Sequence, residues 1–94
     1  MEVSFLRGAE TDLQKLYEYF GSERGEKFLL LLDDALEEVR RFPQIGRSYL
    51  SKYRRYLLPR YPLAIIYVPE SNRIVIHAVF DLRQDPQKLL DRLP

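Results

Sequence analysis

Ninety-four residues, 46% of them hydrophobic, are enough for one modest core and too few for two, so residues 1–94 are expected to form a single domain. No stretch approaches the roughly 20 apolar residues of a membrane span, and the lack of cysteine excludes a disulfide framework, a thiolate nucleophile and a cysteine-ligated metal. The net charge of +1 conceals a split: residues 1–38 carry four basic against ten acidic side chains, residues 39–94 eleven against four. The basic half is a candidate surface for an anionic partner, unless the two halves neutralise one another in the fold.

Residues 3–6 open the chain as a short apolar strand. Ala9, Leu13, Leu16, Tyr17 and Phe20 then recur at three- and four-residue spacing, which lines one face of a helix. Gly21 and Gly25 mark a break. A second, longer helix turns Phe28, Leu31, Leu32, Ala35, Leu36 and Val39 inward and Asp33, Asp34, Glu37 and Glu38 outward. Arg40 and Arg41 suit its negative end, and Pro43 stops it. Joined by the glycine turn, the two are expected to pack antiparallel as an αα-hairpin.

Beyond Gly46 the period falls to two. Residues 53–58 read as an aromatic and basic strand, which Pro59 and Pro62 assign to a sheet edge or a bend. Residues 63–68 are apolar throughout, as in a central strand; residues 69–72 turn, and residues 74–80 return as a third strand. On it His77 is expected to share a face with Val75 and Val79, opposite Ile74, Ile76, Ala78 and Phe80. Asp85-Pro86 is a helix start, and the helix over residues 87–93 would bury Leu89, Leu90 and Leu93. The order predicts an α+β domain: an N-terminal strand, an αα-hairpin, a three-stranded antiparallel meander and a short C-terminal helix.

Three segments carry a family resemblance. Pro43-Gln-Ile-Gly-Arg47 is similar to the P-x-x-G-R link from helix to sheet in the RelE/ParE toxin superfamily. Arg54-Arg-Tyr56 followed by Arg60-Tyr-Pro-Leu-Ala-Ile-Ile-Tyr67 resembles its central strands, and residues 74–80 followed by Arg83-Gln-Asp-Pro86 resemble its last strand and the R-x-D-P entry to the terminal helix. Each motif alone is weak, since helix stops, core strands and helix starts occur everywhere. In order, they span nearly the whole chain.

The resemblance implies one of two activities, and a shared fold does not choose between them. RelE-like members cut messenger RNA in the ribosomal A site; ParE-like members poison DNA gyrase by a protein–protein contact. Cutting RNA through its 2′-hydroxyl needs a base, an acid and cations around the phosphate. The cations are present in Lys52, Arg54, Arg55, Arg60, Arg73 and Arg83. The Tyr or His that the RelE-like branch places near its C-terminus is not, for neither follows Arg83. Asp81 stands where many relatives carry His, but a carboxylate of ordinary pKa near ~4 is a weak base at neutral pH, and a pair with Arg83 is its simpler role. His77, the sole histidine, and Tyr53, Tyr56, Tyr61 and Tyr67 read first as packing residues on strands.

The expectation is therefore a ParE-like toxin of a type II toxin–antitoxin system, of the kind linked to plasmid stabilisation, that binds rather than cuts. It would be cytoplasmic, since Glu2 and the lack of a long apolar core do not suit a signal peptide. Its partner-binding cations would be Lys52, Arg54, Arg55, Arg60, Arg73 and Arg83. If it is instead a metal-independent RelE-like endoribonuclease, the candidates are Arg54, Arg60, His77, Asp81 and Arg83. An inactive scaffold serving as a binding module is the third reading. No metal or cofactor is called for, and the target would be gyrase or the ribosome. The resemblance also implies an antitoxin partner with a disordered, acidic and apolar C-terminal segment that wraps the toxin in a hetero-oligomer.

Overall fold

The computed structural model describes all of residues 1–94. Its elements are β1 (Glu2–Phe5), α1 (Arg7–Arg41), β2 (Arg47–Tyr49), β3 (Tyr53–Leu57), β4 (Leu63–Pro69), β5 (Arg73–Asp81) and α2 (Pro86–Arg92). The five strands form one sheet in the order β1-β5-β4-β3-β2, antiparallel except where β1 lies parallel to β5. No helix is long and apolar enough to cross a membrane.

The expected αα-hairpin takes the form of one helical element bent at a single residue. Gly21 has φ 83° and ψ 171°, a conformation open in practice only to glycine, and everything on either side of it is helical. Tyr17 of the first arm closes the bend by donating a 2.8 Å hydrogen bond to Glu26 of the second. Gly25, expected in the break, is instead a buried helical residue beneath the Tyr17 ring. At the far end Arg40 and Arg41 occupy the last turn as anticipated.

Two apolar layers flank the sheet. On the α1 side Phe28, Leu32, Ala35 and Val39 pack onto Leu63, Ile65, Tyr67, Ile74, Ile76 and Val79. On the other side Leu89 of α2 covers Ala64, Ile66, Ala78 and Phe80. Leu90, expected to be buried with it, faces solvent. Asp85 caps α2 by accepting the Gln87 N–H at 2.9 Å, with Pro86 in the first turn, as its sequence predicted.

Three expectations about the sheet are corrected. The meander has four strands, because Arg47–Tyr49 forms β2 and covers the outer side of β3. β3 is therefore an inner strand, and Pro59 and Pro62 lie in the loop after it. The even alternation assumed along β5 also fails. Ile66 pairs with Ala78 while the next residue, Tyr67, pairs with Ile76, so His77 is an extra residue in a bulge. Beyond it the faces exchange: Val79 joins Ile74 and Ile76 on the α1 side, and Ala78 and Phe80 turn to the α2 side. His77 itself meets the edge of the Tyr53 ring, 5.1 Å between centroids.

Candidate functional site

The α1-to-β2 link is fixed by one tyrosine. Tyr67 is buried at the end of the apolar β4, and its hydroxyl donates to the Pro43 carbonyl at 2.8 Å and accepts from the Gly46 N–H at 2.9 Å. A Cβ at position 46 would stand 2.8 Å from that hydroxyl oxygen, so the P-x-x-G-R segment needs its glycine for close approach. Arg54 buttresses the same link, donating to the carbonyls of Gly46 at 2.7 Å and Gln44 at 3.3 Å. Its guanidinium is thus turned to the chain's own backbone.

The opposite end of the sheet gathers Arg60 and Arg83. The loop from β3 to β4 is closed by the Leu58 N–H on the Leu63 carbonyl at 2.9 Å, and Arg60 sits in it at φ 70°. That left-handed conformation costs a non-glycine residue ~1 kcal/mol. Tyr61 pins the loop to the helix bend, its ring 5.4 Å from that of Phe20 and 5.7 Å from that of Phe28. A 2.8 Å bond from the Leu82 N–H to the Pro62 carbonyl then ties the end of β5 to the same loop. Between these elements lies a notch of about 240 Å³, floored by Phe20, Tyr61 and Leu63 and rimmed by Arg24, Arg60 and Arg83.

Tyr19, 69% exposed, lines this notch and also an adjoining groove of about 450 Å³ that contains Lys15, Asp81, Arg83 and Arg92. Arg24 lies over the Phe20 ring, 5.6 Å from its centroid. Sequence reasoning missed Tyr19 and Arg24, because on a helix their spacing marks only an outer face.

Asp81 is committed to Arg83. It accepts from the Arg83 backbone N–H at 2.9 Å, from Nε at 3.0 Å and from Nη2 at 2.7 Å. Those bonds from the Arg83 side chain hold its carboxyl below the usual carboxylate range, so it is a weaker base than a free aspartate. His77 is remote from this end: it precedes Asp81 by four residues, about 13 Å along an extended strand, and lies on the face of Tyr53. Burial, with the Lys52 charge adding to it, lowers the His77 pKa. The nuclease candidates are thus dispersed: Arg54 at the helix–sheet link, His77 at the bulge, and Arg60, Asp81 and Arg83 at the notch end.

The remaining cations also divide. Lys52 lies over the Tyr53 ring at 5.5 Å and Arg55 over that of Tyr49 at 5.9 Å, both on the α2 side of the sheet. Arg73 pairs with Glu70 at 2.8 Å in the β4–β5 turn. No cluster of three or more His, Cys, Asp or Glu side chains is placed to hold a metal ion.

Comparison with known proteins fits this architecture. Residues 3–86 match the family described as the ParE toxin of the type II toxin–antitoxin system parDE. The structure is similar to a chain of the chromosomal ParDE toxin–antitoxin system from P. aeruginosa, with 25% identity, a TM-score of 0.65 and coverage of 87% of this chain and 96% of that one. It also shares its fold with a chain of the YoeB dimer from Staphylococcus aureus, at 21% identity and a TM-score of 0.62 over 84% of this chain and 93% of that one. No curated protein matches by sequence. With the family match running from the first strand to the start of α2, the chain belongs to the ParE toxin family of type II toxin–antitoxin systems.

Proposed function

We propose that the chain arrests growth by binding DNA gyrase through a protein–protein contact, and that a cognate antitoxin neutralises it by covering the arginine notch. The carrying observation is the composition of that notch. Arg24, Arg60 and Arg83 rim an apolar floor, a chemistry suited to an acidic segment with an apolar anchor. Proton transfer is poorly served there. Asp81 is held ionised by Arg83, and His77 lies on the other face of the sheet. This favours binding over RNA cleavage, which needs a base and an acid beside the cations.

The antitoxin segment would order on binding. Burial of its apolar anchor between Phe20 and Leu63 would offset the entropy lost, and the resulting hetero-oligomer would form in the cytoplasm. Of the six cations assigned to partners by sequence, Arg60 and Arg83 are the pair at the notch, with Lys52 and Arg55 on the open sheet face. Arg54 serves the fold, and Arg73 stands apart in its pair with Glu70.

Purified chain at micromolar concentration should inhibit gyrase supercoiling or accumulate cleaved gyrase–DNA complexes, and Arg60→Ala with Arg83→Ala should release the antitoxin. Unchanged gyrase activity together with codon-positioned cuts in message on translating ribosomes would transfer the chain to the RelE-like activity. Antitoxin binding that survives Arg60→Ala with Arg83→Ala would separate the notch from neutralisation.

A further inference from the structure

Residues 39–69 contain seven arginines and lysines and not one aspartate or glutamate. They supply the whole β2–β3–β4 part of the sheet, so counter-charge for this ribbon is not built into it. Arg47 of β2 stands directly opposite Arg55 of β3, and neither makes an ion pair. Like charges facing each other across a strand pair weaken it. Arg55 shares the α2-side face with Tyr49 and Tyr53, and Lys52 over the Tyr53 ring extends the charge along the same ribbon. β2 is also the last strand of the sheet: its outer N–H and C=O groups face no neighbour, and Arg47 and Ser48 are exposed.

We propose that the open edge of β2 accepts an extended acidic segment of a partner protein as an added strand, its carboxylates lying against Arg47 and Arg55. Main-chain hydrogen bonds to the edge would hold the segment, and the unneutralised arginine pair would choose its charge. A second copy of this chain is the wrong occupant, since pairing two β2 edges would set side by side two ribbons that carry cations and no carboxylate. Single-stranded RNA fits less well, because Arg55 and Lys52 already lie on the tyrosine faces that bases would stack upon. The inference does not depend on the antitoxin seat at the arginine notch, which lies across the sheet at the bend of α1.

An alternating Glu–Thr octapeptide with blocked ends tests it, beside its Lys–Thr counterpart and an oligouridylate octamer. The Glu–Thr peptide should slow amide exchange at residues 47–49 and bind with an affinity that Arg47→Gln and Arg55→Gln each reduce by about tenfold. Lys88→Gln, on the exposed side of α2, should leave that affinity unchanged. Circular dichroism of each variant separates lost binding from lost fold, and Arg47→Lys should restore most of the affinity. The proposal is overturned by any of three results: unchanged exchange at 47–49, equal weakening by Lys88→Gln, or tighter binding of the oligouridylate than of the Glu–Thr peptide.

Discussion

Single side chains decide several features that no local pattern announces. Tyr67 is one: its hydroxyl joins the end of β4 to the Pro43 carbonyl and the Gly46 N–H. Tyr67→Phe keeps the ring and leaves both backbone groups unsatisfied in a buried setting, which should cost ~1–3 kcal/mol. Urea unfolding of the variant checks this; a loss below a few tenths of a kcal/mol would mean that water takes the hydroxyl's place. His77 carries a pH signature. Its folded pKa lies below the ordinary value near 6.5, so the unfolded chain binds the proton more readily. The stability it contributes is present above that value and is lost as pH falls through the lower folded pKa. The urea midpoint should thus drop on acidification below about pH 6.5, and His77→Gln should flatten that part of the curve. Lys52→Gln should raise the His77 pKa in an NMR titration, because the Lys52 charge helps to lower it.

At the scale of elements, the sheet shows which parts of a fold its sequence can reveal. β4 was legible as an unbroken apolar run, because every residue from Leu63 to Tyr67 is buried on one face of the sheet or the other. β2 was not, since Arg47, Ser48 and half-buried Tyr49 present no buried face to mark a strand. The bulge at His77 arises from register against β4, a relation between distant segments, and it reversed the faces assigned to Ala78, Val79 and Phe80. The same limit hid Asp12, an unremarkable helix residue that proves to be a junction. Its carboxylate accepts the Val79 N–H at 2.9 Å where β5 outruns β1, and it takes both terminal nitrogens of Arg92 at 3.0 and 2.9 Å. α1, β5 and α2 therefore meet on one side chain. The candidate site divides in the same way: the Asp81–Arg83 pair followed from its spacing, whereas the meeting of Arg60 with Arg24 required the folded loop. Asp12→Asn should loosen α2 before the rest of the domain. Hydrogen exchange at Leu89 and Val79 should accelerate on the order of tenfold while core amides of β4 change less. Uniform acceleration in every strand would assign Asp12 a global role instead.

Over the whole molecule, the charge split seen in the sequence survives folding. Only one of the four ion pairs, Asp12–Arg92, links residues far apart in the chain; the others, Glu37–Arg40, Glu70–Arg73 and Asp81–Arg83, join near neighbours. Asp33, Asp34, Glu37 and Glu38 remain exposed on α1, while β2, β3 and their loops present cations alone. The principal extents of 36 × 29 × 23 Å all exceed the ~10 Å screening length at 0.1 M salt, so opposite surfaces keep their separate signs in solution. A polar molecule of this kind orients as it approaches a charged partner, and steering acts on encounter more than on dissociation. Association with an acidic antitoxin should therefore slow by roughly tenfold or more between low and near-molar salt, with a much smaller change in the dissociation rate. Stopped-flow kinetics at several ionic strengths distinguishes the cases. If salt acted mainly on dissociation, short-range contacts in the notch would govern recognition, and the segregation of charge along the chain would have no part in finding the partner.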